Sequence, residues 1–262
     1  MEAGDTIVTE KIIKISCHNV SKTFVQKETQ RVHVLENINL DVEENELLVL
    51  LGPGQSGKST LLRIIAGLEE PSSGQVLLNG ERVTQPGPDR SMVFQTYSLF
   101  PWRTVRANVE MGLKFQGIKK KERRDAAQKY IDLVGLSGFE RSFPHQLSGG
   151  MKQRVGIARA YVNNPEVLLL DEPFGQLDAQ TRYLMEQEIV RVWQQEKKTV
   201  LFVTNNIDEA IYIGDRIVVM EGKLPGRLQS TYLIDLPRPR DHADIAFLEL
   251  RREITNSTAL TL

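Results

Sequence analysis

The stretch GPGQSGKST, made of Gly52, Pro53, Gly54, Gln55, Ser56, Gly57, Lys58, Ser59 and Thr60, carries the spacing G-x-x-x-x-G-K-[ST]. Glycines at such positions let backbone N–H groups converge on phosphate oxygens, and a following helix adds the positive end of its dipole. Lys58 would bridge the outer phosphates, and Ser59 would hold Mg2+. From average composition, a chance match in a chain of this length has a probability of roughly 0.01. VLLLDE (Val167 to Glu172) supplies a partner, an apolar run ending in two carboxylates. Asp171 at such a strand end can reach Mg2+ through water, and Glu172 is placed to polarise an attacking water. Alone, the second motif is weak, because many strands end in acidic residues. Together the two make a constellation for phosphoryl transfer.

The surrounding pattern has to position these groups. ELLVLLG (Glu46 to Gly52) is apolar almost throughout, as a strand buried on both faces of a parallel sheet should be. STLLRIIAGL follows the glycine-rich turn, with helical spacing at Leu61, Ile64, Ile65 and Leu68. VLLLDE, TVLFVT and RIVVM read as three further buried strands. TRYLMEQEIVRVWQQEKK between them is an amphipathic helix with Met185, Ile189, Val192 and Trp193 on one side. KIIKISCHNVSKTF (Lys11 to Phe24) alternates apolar and polar residues and reads as an edge strand, a theme RVHVLENINLDV continues to Val42. PSSGQVLLNGERV (Pro71 to Val83) reads as a turn and hairpin. From about Tyr97 to Gly150 the pattern is helical and more polar, with apolar positions at Ala127, Tyr130, Ile131 and Val134. DLPRPRD (Asp235 to Asp241) reads as an extended linker into a short helix, ADIAFLELRREI. Strands alternating with helices predict an α/β fold around a mainly parallel sheet, without internal repeats.

Bulk properties narrow the function classes. The 262 residues are 40% hydrophobic and 26% charged, with a formal charge of −1, so composition gives no push toward nucleic acid. The densest basic run, KFQGIKKKERR, reads as a solvated helix start. Cys17 is the sole cysteine, which makes neither an internal disulfide nor a zinc site and fits a reducing compartment. The first residues lack a basic stretch followed by an apolar one, so no secretory leader is expected. No apolar run approaches the ~20 residues of a membrane helix, so a membrane link must come through a partner.

HQLSGGMKQRVGIARA (His145 to Ala160), just before the Asp-Glu strand, resembles the signature of ATP-binding-cassette (ABC) ATPases. Ser148, Gly149 and Gly150 open a helix, a second anion-binding N-terminus. The resemblance covers roughly Lys11 to Arg240. It implies a P-loop NTPase of ABC type: a mainly parallel sheet core, an antiparallel β subdomain and a helical subdomain inserted at about 97–158. A short tail, 241–262, follows the 11–240 domain. It further implies ATP and Mg2+ as ligands, with two subunits sandwiching two nucleotides so that one chain's Ser148–Gly150 closes on the γ-phosphate held by the other. Gln95 resembles the glutamine that touches Mg2+ and links the site to the helical part. Phe24 resembles the aromatic that stacks on adenine, and Asp178 the acidic residue of the loop that communicates across the dimer. PGPDRSMVFQTYSLFPWRTVRANV with the late LPRPRD is similar to importer ATPases of the nitrate, sulfonate and taurine group. That narrower resemblance implies a peripheral subunit on the cytoplasmic face of the cell membrane. It would contact a transmembrane permease through the Gln95–Trp102 region, in a system with an external solute-binding protein. Phe100, Pro101 and Trp102 are candidates for the permease surface. Trp102 reads equally well as buried core of the helical part.

Two positions depart from the family. Asn205, after the strand TVLFVT, stands where a histidine usually touches the γ-phosphate. Its amide can donate a hydrogen bond but is shorter and carries no charge. His18, His33, His145 and His242 all lie away from that strand end in the sequence. Gln55 stands where glycine is usual and Gly54 where serine is usual. If the backbone at Gln55 needs a positive φ, Gln carries a cost there. Nucleotide binding is expected to survive, since Gly52, Gly57, Lys58, Ser59 and Thr60 remain. Three functions stay open: an importer ATPase, a weakly hydrolysing subunit paired with a more competent homologue, and a nucleotide-sensing switch without turnover. Relatives that act on nucleic acid usually carry a large insertion or a second cassette, and this chain has neither, so no nucleic-acid partner is expected.

Overall fold

The computed structural model describes residues 12–26 and 30–257. Lys11, the expectation about a leader, and residues 258–262 of the tail lie outside the described residues. Strands β1 (Ile13–Gln26), β2 (Gln30–Glu43), β3 (Leu47–Leu51), β4 (Ser73–Leu78), β5 (Glu81–Arg82) and β6 (Arg90–Val93) occupy the first part, with helix α1 (Lys58–Ile65) after β3. Helices α2 (Val105–Val109), α3 (Met111–Phe115), α4 (Lys120–Leu133) and α5 (Gly149–Tyr161) follow. Then come β7 (Val167–Asp171), α6 (Ala179–Glu196), β8 (Thr199–Thr204), α7 (Ile207–Ile213), β9 (Arg216–Met220), β10 (Leu228–Leu233) and α8 (Ile245–Ser257).

Two sheets result. One has the order β10-β9-β3-β8-β7-β6; it is parallel apart from β10, which runs antiparallel to β9. The other is antiparallel, β2-β1-β4-β5. Every residue of β3, β7 and β8 is buried, as continuous apolar runs predict for strands covered on both faces. Alternate residues of β3 serve two cores. Leu48 and Leu50 pack with Leu61 and Leu62 of α1 and with Ile15, Cys17 and Val20 of the antiparallel sheet. Leu47, Val49 and Leu51 pack toward α5, α6 and α7. The helix α1 that follows the phosphate loop is thus held between the two sheets.

Two expectations change. β1 is not an edge strand, because it pairs with β2 on one side and β4 on the other. Its alternation reports one buried and one open face, which an interior strand of a one-sided antiparallel sheet shares with an edge strand. The helix after the phosphate loop ends at Ile65, and Gly67 at φ +74° turns the chain, leaving Leu68 exposed. The hairpin forms as its sequence predicts. Asn79 and Gly80, at φ +51° and +80°, make the tight turn between β4 and β5.

The Asp235–Asp241 segment is not a free linker. Arg240, 6% exposed, donates to the carbonyls of Ile211, Tyr212 and Gly214 at the end of α7, and to those of Ile234 and Leu236. Phe247 and Ile254 of α8 belong to the same buried cluster as α7. Among the described residues no helix is long and apolar enough to cross a membrane.

Candidate active site

The phosphate loop runs from the C-terminal end of β3 into α1. Gly57 caps α1 at φ +94°, and a Cβ there would stand 2.7 Å from Leu35 and 3.0 Å from the Val34 carbonyl. Glycine is therefore required at Gly57 by conformation and by space. Gln55 adopts φ +66°, so the condition under which Gln carries a cost is met. The loop from Gln55 to Thr60, with Glu172, Val34 and Leu224, lines a cleft of about 180 Å3. Val34 and Leu224 come from β2 and the turn before β10, and nothing in their local sequence marks them. A larger cleft of about 570 Å3 lies beside the β4–β5 hairpin and holds none of the predicted site residues.

Lys58 is nearly fully buried. Its Nζ donates to the carbonyls of Gly52 (2.8 Å) and Pro53 (2.7 Å) and stands 3.6 Å from Glu172 Oε1. Burial pushes its pKa down, and the charge of Glu172 pushes the other way. A desolvated cation at a cleft gains from a further anion. Ser59 Oγ donates to Asp171 Oδ1 at 2.7 Å. Burial raises the Asp171 carboxyl above its ordinary value, and the Ser59 hydrogen bond acts against that shift.

Glu172 leaves the strand at φ +42°, while its N–H still donates to the Val203 carbonyl at 3.0 Å. That left-handed turn, costly for a non-glycine residue, aims the carboxylate into the cleft. Gln95 Nε2 donates to Glu172 Oε2 at 3.2 Å. Residues from three separate segments thus face one point: Lys58 and Ser59, Gln95, and Asp171 with Glu172.

Asn205 follows β8, whose Thr204 carbonyl accepts from the Gly52 N–H at 3.3 Å, so this strand end adjoins the phosphate loop. Asn206, not Asn205, caps α7, its Oδ1 accepting from the N–H groups of Asp208 and Glu209. Thr204 Oγ1 donates to Glu209 Oε2 at 2.6 Å, and Glu209 Oε1 stands 3.3 Å from Arg182 Nε. Asn205 is left exposed at the strand end. The sequence reading missed the Thr204–Glu209–Arg182 chain, because its members are an ordinary strand end and two ordinary helix residues until the fold brings them together.

Ser148 caps α5, accepting from the Met151 N–H, with Gly149 and Gly150 as its first residues. Asp178 caps α6, accepting from the Thr181 N–H at 3.0 Å. None of Ser148, Gly149 and Gly150 lines the cleft at Lys58. Phe24 lies on β1 opposite Val32, two residues along β2 from the cleft residue Val34, with Lys22 Nζ 4.8 Å above its ring. Trp102 is 71% exposed, which removes the buried-core alternative. Asn108, fully buried, holds the loop beneath it, accepting from the Phe100 N–H and donating to the Phe100, Arg103 and Thr104 carbonyls.

Residues 35–175 match the ABC transporter family model. An uncharacterized ABC transporter ATP-binding protein of Methanocaldococcus jannaschii is 54% identical over 244 residues, 93% of this chain and 91% of that protein. An aliphatic sulfonates import ATP-binding protein of Bacillus cereus is 45% identical over 92% of this chain and 94% of its own length. A nitrate import ATP-binding protein of Synechocystis is 46% identical over 90% and 88%. Among solved structures, a dimeric ATP-binding cassette in a post-hydrolysis state, bound to ADP and Pi, superposes with a TM-score of 0.75 at 33% identity. That match covers 85% of this chain and all of the other. The chain belongs to the ABC transporter family as an ATP-binding cassette, similar within it to ATP-binding proteins of nitrate and aliphatic sulfonate import.

Proposed function

We propose that this chain is the ATP-hydrolysing subunit of an importer for a small oxyanion or organosulfonate solute, acting from the cytoplasmic face of the membrane. The observation that carries the reading is the convergence of Lys58, the Ser59–Asp171 pair and the Glu172–Gln95 pair on one cleft. The names of the sulfonate and nitrate relatives supply the solute class.

In this reading the loop from Gly52 to Thr60 binds the phosphates and Phe24 meets the adenine. Lys58 exchanges its two carbonyl partners for phosphate oxygens. The donor set of Ser59 Oγ, Asp171 carboxylate and Gln95 amide oxygen is hard and oxygen-rich, which suits Mg2+. Ser59 and Gln95 would hold the ion and Asp171 would reach it through water. When bound, Mg2+ supplies charge neutralisation along the phosphates. Glu172 orients water for attack, and Asn205 donates its amide toward the γ-phosphate. A second ABC subunit, of the same or a homologous chain, contributes its Ser148–Gly150 helix end; the dimeric solved relative supports pairing. The Gln95–Trp102 region meets the permease, for which the exposed Trp102 over a rigid Asn108 scaffold is suited. An external solute-binding protein completes the system.

One observation favours a second reading. Asn205 is exposed and uncharged, so the chain can be a slow or nucleotide-sensing half of a heterodimer. The deciding experiment is Mg-ATP turnover of the purified chain beside Glu172→Gln, with ATP binding measured in parallel. Turnover that Glu172→Gln abolishes supports the motor; wild-type binding without turnover supports the second reading.

A further inference from the structure

The start of the signature helix is seated against its own chain. A Cβ added at Gly149 would stand 2.8 Å from the Tyr97 hydroxyl, with Leu177 Cδ2 at 3.5 Å and Tyr97 Cζ at 3.8 Å. A Cβ at Gly150 would stand 2.7 Å from Thr181 Cγ2. Neither glycine has a positive φ that would demand glycine for conformational reasons. Their small size is therefore used locally, for close approach by two neighbouring segments. One is the segment carrying Gln95 and Tyr97; the other is the start of α6 with its Asp178 cap.

The first segment is also tied to the far end of the same helix. Arg159 Nη1 donates to the Ser98 carbonyl at 2.8 Å, and Nη2 lies 3.5 Å from the Tyr97 carbonyl. Burial lowers the pKa of this guanidinium, and the ion pairs among the described residues give it no carboxylate partner. Its charge rests on backbone carbonyls, which makes it a tether. Two residues before Tyr97, Gln95 holds Glu172. A single short segment thus touches the attacking-water carboxylate at one end and α5 at the other.

The geometry points to Tyr97 and Arg159 as positioning residues that fix the Ser148–Gly150 helix end relative to Gln95 and Glu172. The chain's own hydrolytic site would then be mechanically linked to the surface it offers to a second subunit. The Tyr97 hydroxyl, in this account, is what excludes a side chain at Gly149. This inference rests on the reading that the chain hydrolyses ATP between two subunits.

The test is a rescue. Gly149→Ala should lower kcat by at least about tenfold, the scale of a misplaced active-site group. Tyr97→Phe alone should stay within about threefold of wild type, since the ring remains. Tyr97→Phe combined with Gly149→Ala should recover at least about fivefold of the lost kcat, because the next neighbours lie at ordinary contact distance. Tyr97→Ala and Arg159→Ala should lower kcat while leaving the KM for ATP within about threefold, and Arg159→Lys should regain part of the loss. ATP binding and melting temperature, measured on each variant, separate misfolding from mispositioning. If Gly149→Ala is equally impaired with and without the Tyr97 hydroxyl, the proposal is overturned. A wild-type chain that binds ATP without turnover overturns the underlying ATPase reading instead.

Discussion

Gln95 Nε2 and Glu172 Oε2 stand 3.2 Å apart, although 77 positions separate them in the chain. The other carboxylate oxygen faces Lys58 Nζ at 3.6 Å. A hydrogen bond on one oxygen and an ion-pair contact on the other orient the carboxylate before substrate arrives. Replacing Glu172 by Gln should keep that shape and remove the base. Turnover should fall by at least about 100-fold, the lower end of the range for general-base catalysis, with ATP affinity unchanged within about threefold. Unchanged turnover in a single-turnover assay would take the attacking-water role away from Glu172.

Asn205→His is expected to raise kcat by less than about tenfold. Complete loss of one donor to developing negative charge costs about 2.7–4 kcal/mol in well-studied sites, but Asn keeps an amide donor. Steady-state rates of the two proteins decide the matter. A rise from undetectable turnover to ordinary rates would identify the chain as a weakened half that needs a competent partner.

Gln55→Gly should stabilise the fold. The left-handed backbone at φ +66° costs a side-chain-bearing residue about 1–2 kcal/mol, part of which the added freedom of glycine offsets. A net gain of up to about 1 kcal/mol corresponds to a melting temperature about 2–4 °C higher. ATP affinity should change by less than about threefold. A large loss of affinity would show instead that the Gln55 side chain contacts nucleotide.

Glu186 gives a pH-dependent prediction. Its carboxyl is buried in α6, with His242 Nε2 3.3 Å away and Glu209, Asp208, Arg182, Tyr212 and Asp241 around the pair. Burial, then the charge of Glu209, pushes Glu186 from 4.5 up to about 8. Burial pushes His242 down. Both shifts favour a neutral acid beside a neutral imidazole over an ion pair. Between pH 4.5 and about 8 the unfolded carboxyl has released its proton while the folded one retains it. Stability from this group is therefore lost as pH rises through that window. Glu186→Gln removes the loss, so its melting temperature relative to wild type should climb from pH 5 to pH 8. Parallel melts that keep a constant difference would mean Glu186 ionises normally.

Trp102→Ala should leave the melting temperature of the isolated chain within about 1 °C, as exposed substitutions do. Transport by the reconstituted importer should drop. Undiminished transport would move the permease surface elsewhere.

Much of this site was legible because its chemistry is local. Gly52 to Thr60, Val167 to Glu172 and Ser148 to Gly150 each sit on one strand end or helix start, where apolar runs and capping residues mark the element. What stayed hidden depends on pairing across the chain. Alternation in β1 gave its buried face but not its number of neighbours. Tyr97 beside Gly149, Glu186 beside His242 and Arg240 on α7 join residues whose own surroundings carry no signal.

Arg240 bears on the order in which the molecule can be completed. It satisfies carbonyls at the end of α7, a helix made some thirty residues earlier. During synthesis those groups stay uncapped until Arg240 leaves the ribosome, and Phe247 and Ile254 arrive later still. Strands β3 and β8 are covered by α7 as soon as that helix forms, so the outer side of α7 is what waits for α8. A nascent chain shortened before Arg240 should therefore present chaperones with an open apolar wall beside an otherwise assembled phosphate loop.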